Sequence, residues 1–199
     1  MKSAQQSLWH VVPIVAIVGL FIFASRTGGP SPAVSASLSA TAAPEVKMYL
    51  RVDGVQGEFT DDLHKGCLEV LSYEQEATIW GDPHVSEGGS KNFRLTVTRP
   101  VNKATPALYL QYCKQTAIPT VTLELWREGG ATSQKMMVYT HHECALNAIR
   151  NMKSVAAGDP PTEELTFICT GTDWAYTEYD ANGKLKAEIR TQWDGRTGK

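Results

Sequence analysis

What most constrains this chain is a two-residue rhythm of apolar side chains that returns repeatedly after residue 45. Met48, Leu50 and Val52 alternate with Lys47, Tyr49 and Arg51, and Phe93, Leu95 and Val97 alternate with Arg94, Thr96 and Thr98. Val121, Leu123 and Leu125 alternate with Thr120, Thr122 and Glu124; Leu185, Ala187 and Ile189 do so with Lys184, Lys186, Glu188 and Arg190. Successive side chains of a strand point to opposite faces, so each run makes a strand with one dry face and one wet or covered face. Further strands are expected over Cys67–Ile79, Lys135–Leu146 and Leu165–Thr177. Asn182-Gly183 lies between the last two strands and supplies the positive φ angles of a tight hairpin turn.

One stretch breaks the rhythm. In Ala104–Cys113, Thr105 has the chemistry of an N-cap and Pro106 suits the first helical position. Leu108 with Tyr112, and Tyr109 with Cys113, stand four apart on one flank. One helix among many strands predicts a mostly β fold: an antiparallel barrel or sandwich of about seven to eight strands with a single lateral helix.

Residues 1–45 follow other rules. Leu8 to Ala24 is a run of seventeen positions without Asp, Glu, Lys or Arg. As a helix it would span roughly 25 Å, a little short of a ~30 Å hydrocarbon core. It fits a secretory signal or an N-terminal membrane anchor, with membrane contact through residues 8–24. Ala-x-Ala-like sites near Val34-Ser35-Ala36 and Leu38-Ser39-Ala40 lie far from the run, which favours an uncleaved inner-membrane anchor. The stretch that follows is built from Gly, Pro, Ser, Ala and Thr and offers too little apolar surface to offset ordering, as in a linker. The expected organisation is therefore a signal or anchor segment at 1–24, a linker at 25–45 and one folded domain at 46–199.

Charge narrows the partners. Nineteen Lys+Arg against twenty-one Asp+Glu give a net charge of −2, without the basic excess of a nucleic-acid binder. At 42% hydrophobic residues the chain is too apolar for a disordered acidic tail, and four cysteines are too few for a disulfide scaffold.

No catalytic constellation emerges. In His141-His142-Glu143-Cys144 a regular strand would point His141 and Glu143 one way and His142 and Cys144 the other, so no face gathers three metal ligands. Cys67, Cys113, Cys144 and Cys169 form no Cys-x-x-Cys pair. Buried thiols are the default, and in an exported domain three pairings into two disulfides stay open. Gly81-Asp82-Pro83-His84 matches a short self-cleaving signature of cysteine-dense domains, but with Gly88-Gly89-Ser90 behind it and no cysteines around it, it reads as a glycine-rich loop. Asp61-Asp62 is a carboxylate pair in a polar loop. There is no nucleophile elbow, P-loop or dinucleotide fingerprint, hence no catalytic residue, metal or cofactor is assigned and an enzyme is not expected.

Four segments in order carry a family resemblance: Met48–Glu58 with Asp61, His64 and the Cys67–Ser72 strand; Lys103–Leu108 and its helix; Ile118–Leu125 ending in Arg127-Glu128-Gly129-Gly130; and Glu164–Phe167 through Trp174–Thr177 and the Asp180–Lys184 turn to Trp193-Asp194. Together they resemble the haemolysin-coregulated protein (Hcp) family, the inner-tube proteins of bacterial type VI secretion systems. The resemblance implies a β-barrel with a lateral helix that forms hexameric rings. These stack into a hollow tube that carries effectors, and the subunit itself is secreted. The partners implied are other copies of the chain, further secretion-apparatus proteins and small effectors. Tyr49, Trp126 and Trp174, beside charges on second strand faces, are expected to need covering by such partners. By the same resemblance the 57–66 loop, with Glu58, Asp61, Asp62, His64 and Lys65, would be an arm reaching a neighbouring subunit or ring.

Hcp subunits ordinarily begin near the strand matched by Met48. The segment ahead of it here points to a wrongly assigned start, with Met48 as the candidate, to an envelope variant, or to an Hcp-like domain recruited to another task. The alternative expectation is therefore a membrane-tethered or periplasmic Hcp-fold binding module that builds no tube.

Overall fold

A computed structural model describes residues 45–80, 90–128, 132–152, 158 and 160–198. The apolar run at 8–24, the linker and the Gly81–His84 motif lie outside the described residues. Among those described, no helix is long and apolar enough to cross a membrane.

Eight strands and one helix follow in the order β1 (Glu45–Val52), β2 (Leu68–Val70), β3 (Ser72–Trp80), β4 (Ser90–Pro100), α1 (Thr105–Lys114), β5 (Ile118–Glu128), β6 (Gln134–Met152), β7 (Thr162–Tyr179) and β8 (Leu185–Asp194). All pairings are antiparallel, in the order β2-β1-β5-β6-β7-β4-β3, with β8 added to β7. Only Leu71 separates β2 from β3, and its N–H donates to the Thr98 carbonyl at 2.8 Å. The stretch from Leu68 to Trp80 is thus one bent strand that bonds first to β1 and then to β4, and the sheet curls closed around it. The expected mostly β architecture is present, with β6 and β7 several residues longer than the expected Lys135–Leu146 and Leu165–Thr177.

Leu50, Val52, Leu68, Leu95, Val97, Val121, Leu123, Leu165 and Phe167 fill the interior, and Leu108 docks α1 against it. Each such side chain contributes about 1.5–3 kcal/mol of burial against the entropy of ordering the chain. The cap of α1 differs from expectation. Ala104 occupies the N-cap and no side chain caps the helix. The Thr105 hydroxyl is engaged elsewhere: it accepts from Asn102 N–H (3.2 Å) and donates to Glu163 Oε1 (3.1 Å). Glu163 faces Arg99 directly across β4 and β7, and the two form a fully buried ion pair. Among the described residues, Arg99 Nε and Nη2 and Glu163 Oε2 find no hydrogen-bond partner, so the pair is only partly satisfied. Burial lowers the Arg99 pKa, and the Glu163 carboxylate opposes it.

The expected face alternation fails at one level, in three adjacent strands at once. Inward residues run Val121, Leu123 in β5, His141 in β6 and Thr172 in β7 above that level, then Ile118, Cys144 and Cys169 below it. Glu143 carries the change in β6 with φ +48°; across the sheet it lies opposite Pro119 of β5, which has no N–H, and Thr170 of β7, next to Gly171. His141 and Cys144 therefore both turn inward, while His142 and Glu143 face solvent. This corrects the expectation that His141 and Glu143 share a face. Cys144 and Cys169, opposite one another in register, form a disulfide; Cys67 and Cys113 are free thiols, the first buried and the second exposed.

The last hairpin also differs in detail. Its turn spans Asp180 to Lys184, only Gly183 takes a positive φ (+78°), and the Asp180 carboxylate accepts from Asn182 and Lys184 N–H groups. A glycine is needed at that single position, as in a three-residue loop.

Candidate assembly surface

The 57–66 loop is folded back onto its own barrel. Gly57 N–H donates to Gly66 O (3.0 Å), Gly66 N–H to Phe59 O (2.8 Å) and Cys67 N–H to His64 O (2.9 Å). A side chain at Gly57 would meet the Cys67 carbonyl at 1.9 Å, so this close approach requires glycine. His64 is buried. Its ring stacks on Tyr49 at 3.7 Å between centroids and meets Trp126 and Phe59 edge-on. Asp61 Oδ1 accepts from both the backbone N–H (2.9 Å) and Nδ1 (2.8 Å) of His64. Burial works to raise the Asp61 carboxyl, but these hydrogen bonds outweigh it and hold it below its ordinary range.

Behind the loop, Tyr49 donates to Glu128, which also binds Lys47 at 2.7 Å. Burial, reinforced by Glu128, raises the Tyr49 hydroxyl far above its usual value, while the Lys47 hydrogen bond lowers Glu128. Of the five predicted loop residues, Glu58, Asp61, Asp62 and Lys65 are exposed and His64 is not. Tyr49 and Trp126 are covered by this loop, and Trp174 packs edge-on against Phe93 at 5.6 Å. Those three aromatics therefore have partners within the chain, contrary to the expectation that they need another molecule.

A different face lacks such cover. Above the Glu143 level β7 exchanges β4 for β8 as its neighbour, and β1, β5, β6, β7 and β8 run on together as a sheet whose β7–β8 end forms a blade. Met137, Tyr176 and Ile189 sit side by side across it. They extend the inward row that holds Trp174 and Tyr139, so the face of the barrel core runs on into the open. Tyr176 is 47% and Ile189 62% exposed, with Leu185 at 59% near the hairpin tip. Met137, Tyr139 and Trp174, with Tyr73, Gln75, Ala77 and Phe93, line an open groove of about 470 Å³ at its base. Sequence reading missed this surface because its residues obey the core pattern; the one signal was that β8 carries Leu185 and Ile189 among many charges.

On the outer side of the same strands, His142 Nε2 lies 3.0 Å from Asp173, and Arg196 pairs with Glu143 at 2.6 Å. Among the described residues no group of three His, Cys, Asp or Glu could hold a metal ion.

Residues 49–176 match the family described as type VI secretion system effector, Hcp. The chain belongs to the Hcp family. Solved structures agree in fold. A type six secretion system protein is 25% identical with a TM-score of 0.67, covering 78% of this chain and 99% of its own. Hcp1 from Salmonella typhimurium is 21% identical with a TM-score of 0.64, covering 77% and 97%. A type VI secretion system effector from Yersinia pestis is 18% identical with a TM-score of 0.57, covering 74% and 98%. Comparison with curated proteins finds no match. This Hcp protein is thus a type VI secretion protein, of a family that is not one of enzymes.

Proposed function

We propose that this Hcp protein is a tube subunit that forms hexameric rings, stacks them and carries effectors in the lumen. The observation that supports it is the blade: an apolar face continuous with the core, open at Tyr176 and Ile189, is what a subunit presents to a second copy of itself. Beside it Lys186 with Glu178 supplies a polar rim toward the hairpin end, while Arg190 and Glu188 point to the reverse side of the sheet. The exposed carboxylates Asp61 and Asp62, held on a loop that His64 clamps, are the proposed contact to the next ring, with Glu58 and Lys65 beside them. Charge reversal at Asp61 and Asp62 is expected to weaken stacking while the monomer stays folded; unchanged tubes in negative-stain images would remove the loop from the interface.

The apolar run at 8–24 favours a second reading, an envelope-tethered or periplasmic Hcp-fold binding module that builds no tube. Particle mass separates the two. Rings predict about six times the monomer mass with a central hole, whereas the tethered module predicts a monomer.

A further inference from the structure

We infer that the Cys144–Cys169 bond is made by a disulfide-donating oxidant outside the cytoplasm, on a chain that has not yet folded, and that residues 8–24 bring the chain there. This rests on the second reading above, the envelope-tethered or periplasmic module, and not on the tube. The two cysteines are cross-strand partners in the middle of β6 and β7, and their side chains are 1% and 0% exposed among Ile118, Leu146 and Phe167. The reversal at Glu143 is what turns Cys144 inward toward Cys169; in a regular strand that also buries His141, Cys144 would face solvent. Once β4, β5 and α1 are in place, neither sulfur is open to a reagent in solution. The bond must therefore form while β6 and β7 are still accessible.

Cytoplasmic reductants keep such thiols reduced, so a bond made at that stage implies an oxidising compartment. The chain itself carries a matching feature, seventeen uncharged residues of export-signal character. The other two cysteines lie apart from the pair. Cys67 is buried in the small cluster on the opposite face, with Arg51 Nη2 3.4 Å from its sulfur, and Cys113 is exposed on α1.

The chemistry is two exchanges. The thiolate of one cysteine attacks the donor disulfide, forming a mixed disulfide and releasing one donor thiolate. The thiolate of the second cysteine then attacks the protein sulfur of that mixed disulfide and releases the other. Two protons and two electrons leave the protein, and the donor becomes a dithiol.

The test uses the full chain in a bacterial host. Cells are quenched in acid, free thiols are alkylated with N-ethylmaleimide under denaturing conditions, and peptides are read by mass spectrometry without reduction. The expected result is Cys144 linked to Cys169 in most molecules, with Cys67 and Cys113 alkylated. In the full chain carrying Ile17→Lys and Leu20→Lys, which breaks the apolar run, all four cysteines should be alkylated. Four alkylated cysteines in the unaltered chain would overturn the inference, and so would an undiminished link in the lysine variant. Should that variant fail to accumulate, the unaltered chain is followed in a host without its periplasmic disulfide donor. There the linked fraction should fall at least tenfold; a persistent link would equally overturn the proposal.

Discussion

β6 and β7 pass through two environments along one length, and the contrast is instructive. As far as His141 and Thr172 their inward residues, with Cys144, Leu146, Leu165 and Phe167, are enclosed by the barrel. Beyond those two residues the same inward row, Trp174, Tyr176 and Met137 with Ile189 of β8, emerges onto an open blade. The side-chain chemistry hardly changes across the boundary; only the number of covering strands does. An apolar row of this kind is a core where the sheet closes over it and a contact surface where it does not.

The enclosed half should be the most sensitive to substitution. Arg99→Ala strands Glu163 without its counter-charge and should cost about 3–5 kcal/mol in denaturant unfolding. The double change Arg99→Met with Glu163→Leu removes both charges and should recover most of that loss. If the single and double variants unfold alike, the ion pair does not organise the β4–β7 join to α1.

His141 sharpens the same half through pH. Burial, with a smaller contribution from His142, lowers its pKa to about 4, against about 6.5 in the unfolded chain. Between those values the unfolded state binds the extra proton, so stability falls as pH drops from about 6.5 to about 4, by about 3 kcal/mol. His141→Gln should flatten that slope. Asp61, Glu128 and Asp194, whose carboxyls are lowered, lose their contributions at lower pH, below about 4.5.

The loop lies between the two halves in expected effect. His64→Ala removes the ring that Tyr49, Trp126 and Phe59 enclose and should cost about 1–2 kcal/mol. Amide exchange across 57–66 should accelerate while the barrel amides keep their protection. A uniform loss of protection would mean that the loop and barrel unfold as one unit.

These contrasts bear on how much could be read in advance. Alternation located β1, β4, β5 and β8, because a half-buried strand must write its burial at period two. Pro106 and Leu108 located the helix, although Thr105 turned out to serve a buried carboxylate that no local rule could foresee. The family resemblance rested on segments around β1 and β2, α1, β5 and β7–β8, and the match over residues 49–176 spans all but the end of the last. What stayed hidden depends on distant partners. Glu143 adopts a left-handed backbone because β5 and β7 reverse at the same level, and nothing in His141–Cys144 alone announces that. His64 seemed a loop residue available for contact, but its burial needs Tyr49 and Trp126 from two other strands. The Cys144–Cys169 pairing needed the β6–β7 register, which the sequence left open among three pairings.

The open half should respond least in stability and most in assembly. Ile189→Lys places a charge on the exposed blade and should change monomer stability by less than about 0.5 kcal/mol. The decisive measurement is particle mass by light scattering after size exclusion, on the unaltered protein and on this variant. The account predicts a particle of about six subunits for the first and a folded monomer for the second. A monomer in both cases, or a six-subunit particle that tolerates lysine at position 189, would contradict it.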